Sequence, residues 1–169
     1  MGATAAAYLI LGFVTLQRLA ELLLAERNRK RLMSRGASEH GRGHYPLIVI
    51  VHGLWLAALW WWAPGRQIHI PLLLLFAVLQ VGRLWVLSTL GERWTTRIII
   101  LPGAPLVTRG PYRFVDHPNY LIVVLEIAVL PLVFGLWEIA LAFSALNAAV
   151  LAIRIRAENR ALASLAAAP

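Results

Sequence analysis

The chain is 169 residues long, 60% hydrophobic and only 14% charged, with a mean hydropathy of +0.70. Soluble domains are about half apolar and about a quarter charged, so the composition excludes one. It predicts an all-α, polytopic helix bundle of about five transmembrane helices, forming a single integral membrane domain over residues 1–169. Cysteine is absent, which excludes disulfides and thiolate metal sites, and no metal is expected. The net charge of +8 comes from basic residues flanking apolar spans, which points to membrane lipid headgroups as partners and not to nucleic acid.

A first span is expected over about residues 3–25. No cationic segment precedes it, and Gln17, Arg18 and Glu21 interrupt its second half, unlike a cleaved signal peptide. Arg18 and Glu21 lie three apart on one helix face and can pair. They either turn a polar face toward an internal cavity or reach the interface near the helix end. Residues 26–31 and the glycine-bearing stretch 34–45 read as a basic loop beside the membrane. The second span, about residues 46–63, carries His52 and ends in Trp60-Trp61-Trp62, an aromatic belt at the interface. Ala63-Pro64-Gly65 turns the chain. The third span, about residues 70–90, contains Gln80 and Arg83; Arg83 sits well inside, facing the bundle or a headgroup site and not lipid tails.

Residues 91–119 form a polar connection, within which Ile98 to Leu101 reads as a strand-like or interfacial segment. From Tyr120 to about Ile155 two short spans form a tight hairpin hinged near Pro131 and Gly135. The tail from Arg154 to Leu165 reads as a helix leaving the membrane. Residues 26–45, 91–117 and the tail hold six, four and three Lys/Arg, thirteen in all, against Arg66 alone in the loops of the other side. The positive-inside rule therefore predicts a cytoplasmic C-terminus and an outside N-terminus.

The densest chemistry lies in Arg109-Gly110-Pro111-Tyr112-Arg113 and Asp116-His117-Pro118-Asn119-Tyr120. Gly-Pro makes a turn. His117, before a proline, is pushed out of the α region. Pro118 suits the first turn of a helix. A rigid polar turn thus stands at the mouth of a membrane helix. A second cluster, Arg154, Arg156, Glu158, Asn159 and Arg160, lies at the same side, with Arg154 and Glu158 four apart on one helix face. On its own it also fits an interfacial anchor helix.

Together the two clusters resemble the isoprenylcysteine carboxyl methyltransferase family, which carries Gly-Pro-Tyr-Arg, His-Pro-x-Tyr at a helix start, and Arg-x-x-x-Glu-Glu-x-x-Leu after the last span. Gly110-Pro111-Tyr112-Arg113, His117-Pro118-Asn119-Tyr120 and Arg154…Glu158…Leu162 match, with Asn159 in place of the second glutamate. Asp116 stands where relatives often carry Arg or Lys. Upstream, Arg18, Glu21, Leu22, Arg27-Asn28, Glu39 and His44-Tyr45-Pro46 are similar to the bacterial branch thought to O-methylate alkylpyrones or alkylresorcinols.

The resemblance implies an S-adenosylmethionine-dependent O-methyltransferase of the bacterial inner membrane, acting on a lipophilic small molecule through a carboxylate, enol or phenol oxygen. It implies a cofactor site from Gly110, Tyr112, Arg113, His117, Pro118, Asn119, Tyr120 and Glu158. Arg154 and Glu158 are then the catalytic pair, and Arg18, Glu21, His52 and Arg83 line the acceptor. There is no Gly-x-Gly-x-x-Gly after a strand, so a Rossmann cofactor site is excluded. An NADPH-dependent membrane reductase of the sterol reductase type and a non-catalytic lipid-binding membrane protein are the alternatives. The oligomeric state is left open.

Overall fold

The computed structural model describes residues 2–166; residues 1 and 167–169 of the expected domain lie outside them. Five α-helices are present among the described residues: α1 Gly2–Ser34, α2 Tyr45–Trp62, α3 Ile70–Leu90, α4 Pro118–Val133 and α5 Trp137–Ala166. The segments that include α1, α2, α3 and α5 are long and apolar enough to cross a membrane. At 16 residues, α4 spans only about 24 Å. The fold is an all-α membrane bundle, as composition predicts, and the chain is an integral membrane protein.

Two expectations need correction. Residues 26–34 are not a loop: α1 runs through the basic stretch to Ser34. No glycine or proline interrupts it, and Glu26 pairs with Arg29 one turn on, at 2.6 and 2.8 Å. The helix ends where Gly36 takes φ +87°, with Ala37 N–H bonding Leu32 C=O at 3.1 Å and Gly36 N–H bonding Met33 C=O at 3.1 Å, a left-handed glycine cap. The following stretch is not all loop either. Ser38–His40 forms a strand, β1, antiparallel to the predicted apolar one, β2 (Ile98–Ile100), with Glu39 opposite Ile99.

The buried face of α1 carries Ala7, Leu11, Val14, Glu21, Ala25, Asn28 and Leu32, spaced three, four and seven apart. One stripe is therefore wholly apolar in its first half and carries the polar Glu21 and Asn28 in its second. Ala7, Leu11 and Val14 pack with Trp55 and Leu59 of α2, Phe76 and Leu79 of α3, and Ile127, Leu130 and Val133 of α4. Large exposed side chains such as Leu9, Leu16, Leu74, Val81 and Leu141 cover the outside, as lipid requires.

Pro131 lies in the last turn of α4 and cannot donate to the carbonyl four residues back, that of Ile127. The indole Nε1 of Trp55 donates to that carbonyl instead, at 3.2 Å. The hinge then closes through Gly135 at φ +69° and a Leu136 N–H to Pro131 C=O bond of 3.0 Å. His69 N–H donates to Val133 C=O at 2.8 Å, tying the start of α3 to the end of α4. The two polar clusters thereby lie at the opposite end of the bundle from this hinge.

Candidate functional site: two polar clusters

The first cluster joins the start of α4 to the far half of α5. The backbone around it follows from the prolines: Gly110–Arg113 forms a short helical turn, His117 sits outside the α region at φ −127° and ψ 63°, and Pro118 opens α4. Gly110 has φ +60°, and a Cβ there would stand 2.5 Å from Thr89 Oγ1, so only glycine fits.

Tyr120, on the first turn of α4, donates its hydroxyl to Glu158 of α5 and accepts from Arg154 Nε at 2.8 Å. Arg154 Nη1 donates to the Thr96 carbonyl at 2.8 Å. The guanidinium also lies 5.5 Å from the Tyr120 ring centroid, and the His117 ring stacks on Tyr120 at 5.1 Å. Among the described residues, Glu158 Oε1 and Arg154 Nη2 have no hydrogen-bond partner. One acceptor and one donor, of opposite charge, are left flanking a tyrosine. Asn119 Oδ1, on the residue before Tyr120, is buried without a partner. Tyr112 is half-buried; burial, and then the Glu158 carboxylate, push its phenol up to about 12. It therefore stays a neutral hydroxyl at working pH.

Thr96 is held from the other side. Asn28 of α1 donates to Gly91 C=O at 3.1 Å and Trp94 C=O at 2.9 Å, and Tyr45 OH meets Thr96 Oγ1 at 3.1 Å. The extension of α1 past residue 25 therefore fixes the segment on which Arg154 rests.

Of the expected cofactor residues, Tyr120 and Glu158 are hydrogen-bonded together, His117 stacks on Tyr120, and Asn119 and Pro118 adjoin them. Arg113 stands apart: it is exposed, with its guanidinium 6.0 Å from the Phe114 ring centroid. Asn159 is exposed as well.

The second cluster lies within the bundle. Arg83 grips Glu21 with Nε at 2.5 Å and with Nη2, and reaches Glu126 with Nη1 at 2.9 Å. Arg18 donates to Glu126 at 2.7 Å and to Glu21 at 3.2 Å. Gln17 and Gln80 complete the two carboxylates at 3.1 and 2.8 Å. Two cations and two anions from α1, α3 and α4 balance each other. Arg18 and Glu21 pair as expected, and on the inner face of α1 they also bond partners on α4 and α3. His52 does not join by any hydrogen bond; its Nδ1 bonds Ile48 C=O of its own helix at 2.8 Å.

Glu126, fully buried at 0% exposure, is the residue that sequence reasoning missed. The signal was present: a single carboxylate inside the apolar run from Leu121 to Phe134 needs a partner.

The fold and site together are those of a helical membrane bundle with a charged cluster at the start of one helix. The chain belongs to the isoprenylcysteine carboxyl methyltransferase (ICMT) family, whose family model matches residues 72–164. It is thus a membrane methyltransferase in general class. It is similar to the uncharacterized protein YpbQ of Bacillus subtilis, 35% identical over 168 residues, covering 92% of this chain and 95% of that one. It is also similar to an uncharacterized protein of Haemophilus influenzae, 28% identical over 157 residues, covering 88% and 90%. No solved structure matches it significantly. The matched span holds both Tyr120 and its partners on α5.

Proposed function

We propose that the protein is an S-adenosylmethionine-dependent O-methyltransferase for a lipophilic acceptor presented from the membrane. The observation that carries the reading is the pair of free atoms beside Tyr120: Glu158 Oε1 and Arg154 Nη2. The orphaned Asn119 Oδ1 supports it, because a buried acceptor without a donor calls for one. S-adenosylmethionine offers such donors in its ammonium and ribose hydroxyls, and so fits this set.

In this reading Glu158 binds the ammonium with its free oxygen, while its other oxygen is held by Tyr120. Asn119 accepts a hydroxyl or amino hydrogen, and the glycine at 110 and the prolines at 111 and 118 keep the backbone open. When bound, the cofactor supplies a methyl group on a sulfonium. Arg154, anchored by Tyr120 and Thr96, points its remaining Nη2 donor at the acceptor oxygen and holds it for in-line attack. Such positioning is worth up to about 7–11 kcal/mol. An enol or carboxylic acid arrives ionised, so no strong base is needed; a phenol would require one, and Glu158 or His117 would serve. Asp116 is exposed and has no role in this scheme.

Arg18, Glu21 and Arg83, with Glu126, hold α1, α3 and α4 in register. His52 stays with its own helix. The thirteen Lys/Arg at the end that carries the Tyr120 cluster, against Arg66 at the other, support a cytoplasmic site and C-terminus in the inner membrane of a bacterium. The test is transfer of labelled methyl from S-adenosylmethionine to a 4-hydroxy-6-alkyl-2-pyrone by the purified protein, beside titration with S-adenosylhomocysteine. Binding with transfer supports the reading; neither binding nor transfer in folded protein overturns it.

A further inference from the structure

We propose that the cleft between the end of α3 and residues 105–109 binds the headgroup of one anionic phospholipid, with Arg93 and Arg109 holding its phosphate. The site lies outside the Tyr120 cluster and does not depend on the methyltransferase reading.

The cleft measures about 290 Å³. An apolar cavity of about 150 Å³ takes a benzene ring, so this one has room for a phosphodiester with its glycerol. Thr89, Leu90 and Arg93 line it from the end of α3, and Leu106, Thr108 and Arg109 from the connection that follows.

Charge selects an anion, because no carboxylate lines the cleft. Arg93 Nη1 donates to the Pro105 carbonyl, a neutral partner that orients the guanidinium and leaves its charge uncancelled. Among the described residues, neither Arg93 nor Arg109 makes an ion pair, and the side chains of Arg109 and Thr108 make no hydrogen bond. Glu92, beside Arg93, is taken by Arg31 at 2.9 Å and Arg35 at 3.7 Å. Asp116, the other carboxylate of residues 91–117, is exposed and pairs with neither arginine. Two cations and a free hydroxyl donor are thus left for a phosphate, whose oxygens take charge-assisted hydrogen bonds from guanidinium groups.

Position selects a lipid over a soluble phosphate. The 21 residues of α3 span about 32 Å, close to the hydrocarbon thickness of about 30 Å. The cleft at its last turn therefore lies at the level of the headgroups. Trp85, one turn before Thr89 on the same face of α3, is 49% exposed, as an interfacial tryptophan stands. Leu106, 73% exposed in the lining, offers the acyl chains an apolar edge that a free anion cannot use. Thr89 also abuts Gly110, where a Cβ would stand 2.5 Å from its hydroxyl. A bound headgroup would therefore fix Arg109 directly before the turn that leads to the Tyr120 cluster.

The test titrates the full chain in detergent with dioleoyl-phosphatidylglycerol or dioleoyl-phosphatidylcholine and counts bound lipids by native mass spectrometry. Wild type should take up one phosphatidylglycerol at least about tenfold more tightly than phosphatidylcholine, the range for hydrogen bonds to charged groups. Arg93→Gln with Arg109→Gln should abolish that preference. Thr108→Glu sets a carboxylate in the cleft from an exposed position, should do the same, and stands in should the double variant not fold. Arg156→Gln with Arg160→Gln removes equal charge from exposed positions on α5 and should leave the preference intact. Equal uptake of the two lipids by wild type, a preference that survives both cleft changes, or one lost equally in the α5 control would overturn the proposal. Inorganic phosphate that displaces the lipid at equal concentration would make the cleft a free-anion site and overturn it too. A fall in S-adenosylhomocysteine affinity in the cleft variants, with lipid uptake unchanged, would give the cleft to the cofactor instead.

Discussion

Arg154 donates its Nε to the hydroxyl of Tyr120 at 2.8 Å, and that same hydroxyl donates to Glu158, one helical turn beyond Arg154 on α5. A neutral phenol is thereby the link between a cation and an anion that make no direct ion pair. Glu158 keeps one free oxygen because the tyrosine takes the other, and Arg154 keeps Nη2 because Tyr120 and the Thr96 carbonyl take Nε and Nη1.

Tyr120→Phe removes that link and keeps the ring that stacks on His117. Glu158 and Arg154 are then free to pair with each other, which withdraws both free atoms. Cofactor affinity should fall by about tenfold or more, since hydrogen bonds to charged groups contribute about 1.5–3 kcal/mol each. Calorimetric titration with S-adenosylhomocysteine reads the loss, and circular dichroism should show the helices unchanged. Equal affinity in wild type and variant would make Tyr120 a packing residue.

Trp55 and Pro131 should prove coupled. Trp55→Phe leaves the Ile127 carbonyl buried without a donor, at a cost of about 1–3 kcal/mol. Pro131→Ala returns a backbone N–H to that carbonyl, so the double variant should recover much of the loss. A double-mutant cycle by denaturant titration in mixed micelles measures it. Additive losses would show that the indole does not replace the missing helix bond.

Glu126→Leu should be the most damaging single change among the membrane-facing helices. It leaves Arg18 and Arg83 inside the bundle with only Glu21, and breaking a buried ion pair from one side costs about 3–5 kcal/mol. Unfolding in mixed micelles would show the shift. A variant as stable as wild type would mean that Glu126 contributes nothing to holding α1, α3 and α4 together.

Legibility in the sequence followed local backbone rules. Pro118 placed the start of α4, Gly135 the hinge, and Gly-Pro at 110–111 the tight turn, because φ restrictions act within one or two residues. The apolar runs placed the spans for the same local reason. What escaped depended on partners far along the chain. Residues 26–34 looked like a loop because they are polar, yet Asn28 on that stretch is 3% exposed and bonds the backbone at Gly91 and Trp94. The strand at Ser38–His40 exists through its pairing with Ile98–Ile100. Arg18, Glu21 and Arg83 were visible as costly charges in apolar spans, but Glu126 was needed to show that they satisfy one another. The cluster residues on α4 and α5 were legible by motif; the free atoms on Glu158 and Arg154 were not, since they follow from which atoms Tyr120 and Thr96 occupy.

The central claim is that Glu158 and Arg154 divide cofactor binding and acceptor positioning between them, and one paired measurement tests it. S-adenosylhomocysteine affinity and the methylation rate of a long-chain alkylpyrone are determined for Glu158→Gln and Arg154→Ala in folded protein. Glu158→Gln should weaken cofactor binding by about tenfold to a hundredfold, because an amide cannot supply the charge that an ammonium seeks. Arg154→Ala should chiefly lower turnover, with a smaller change in cofactor affinity. Normal binding and turnover in Glu158→Gln would contradict the account, leaving the end of α5 as an interfacial anchor and the reaction to other residues.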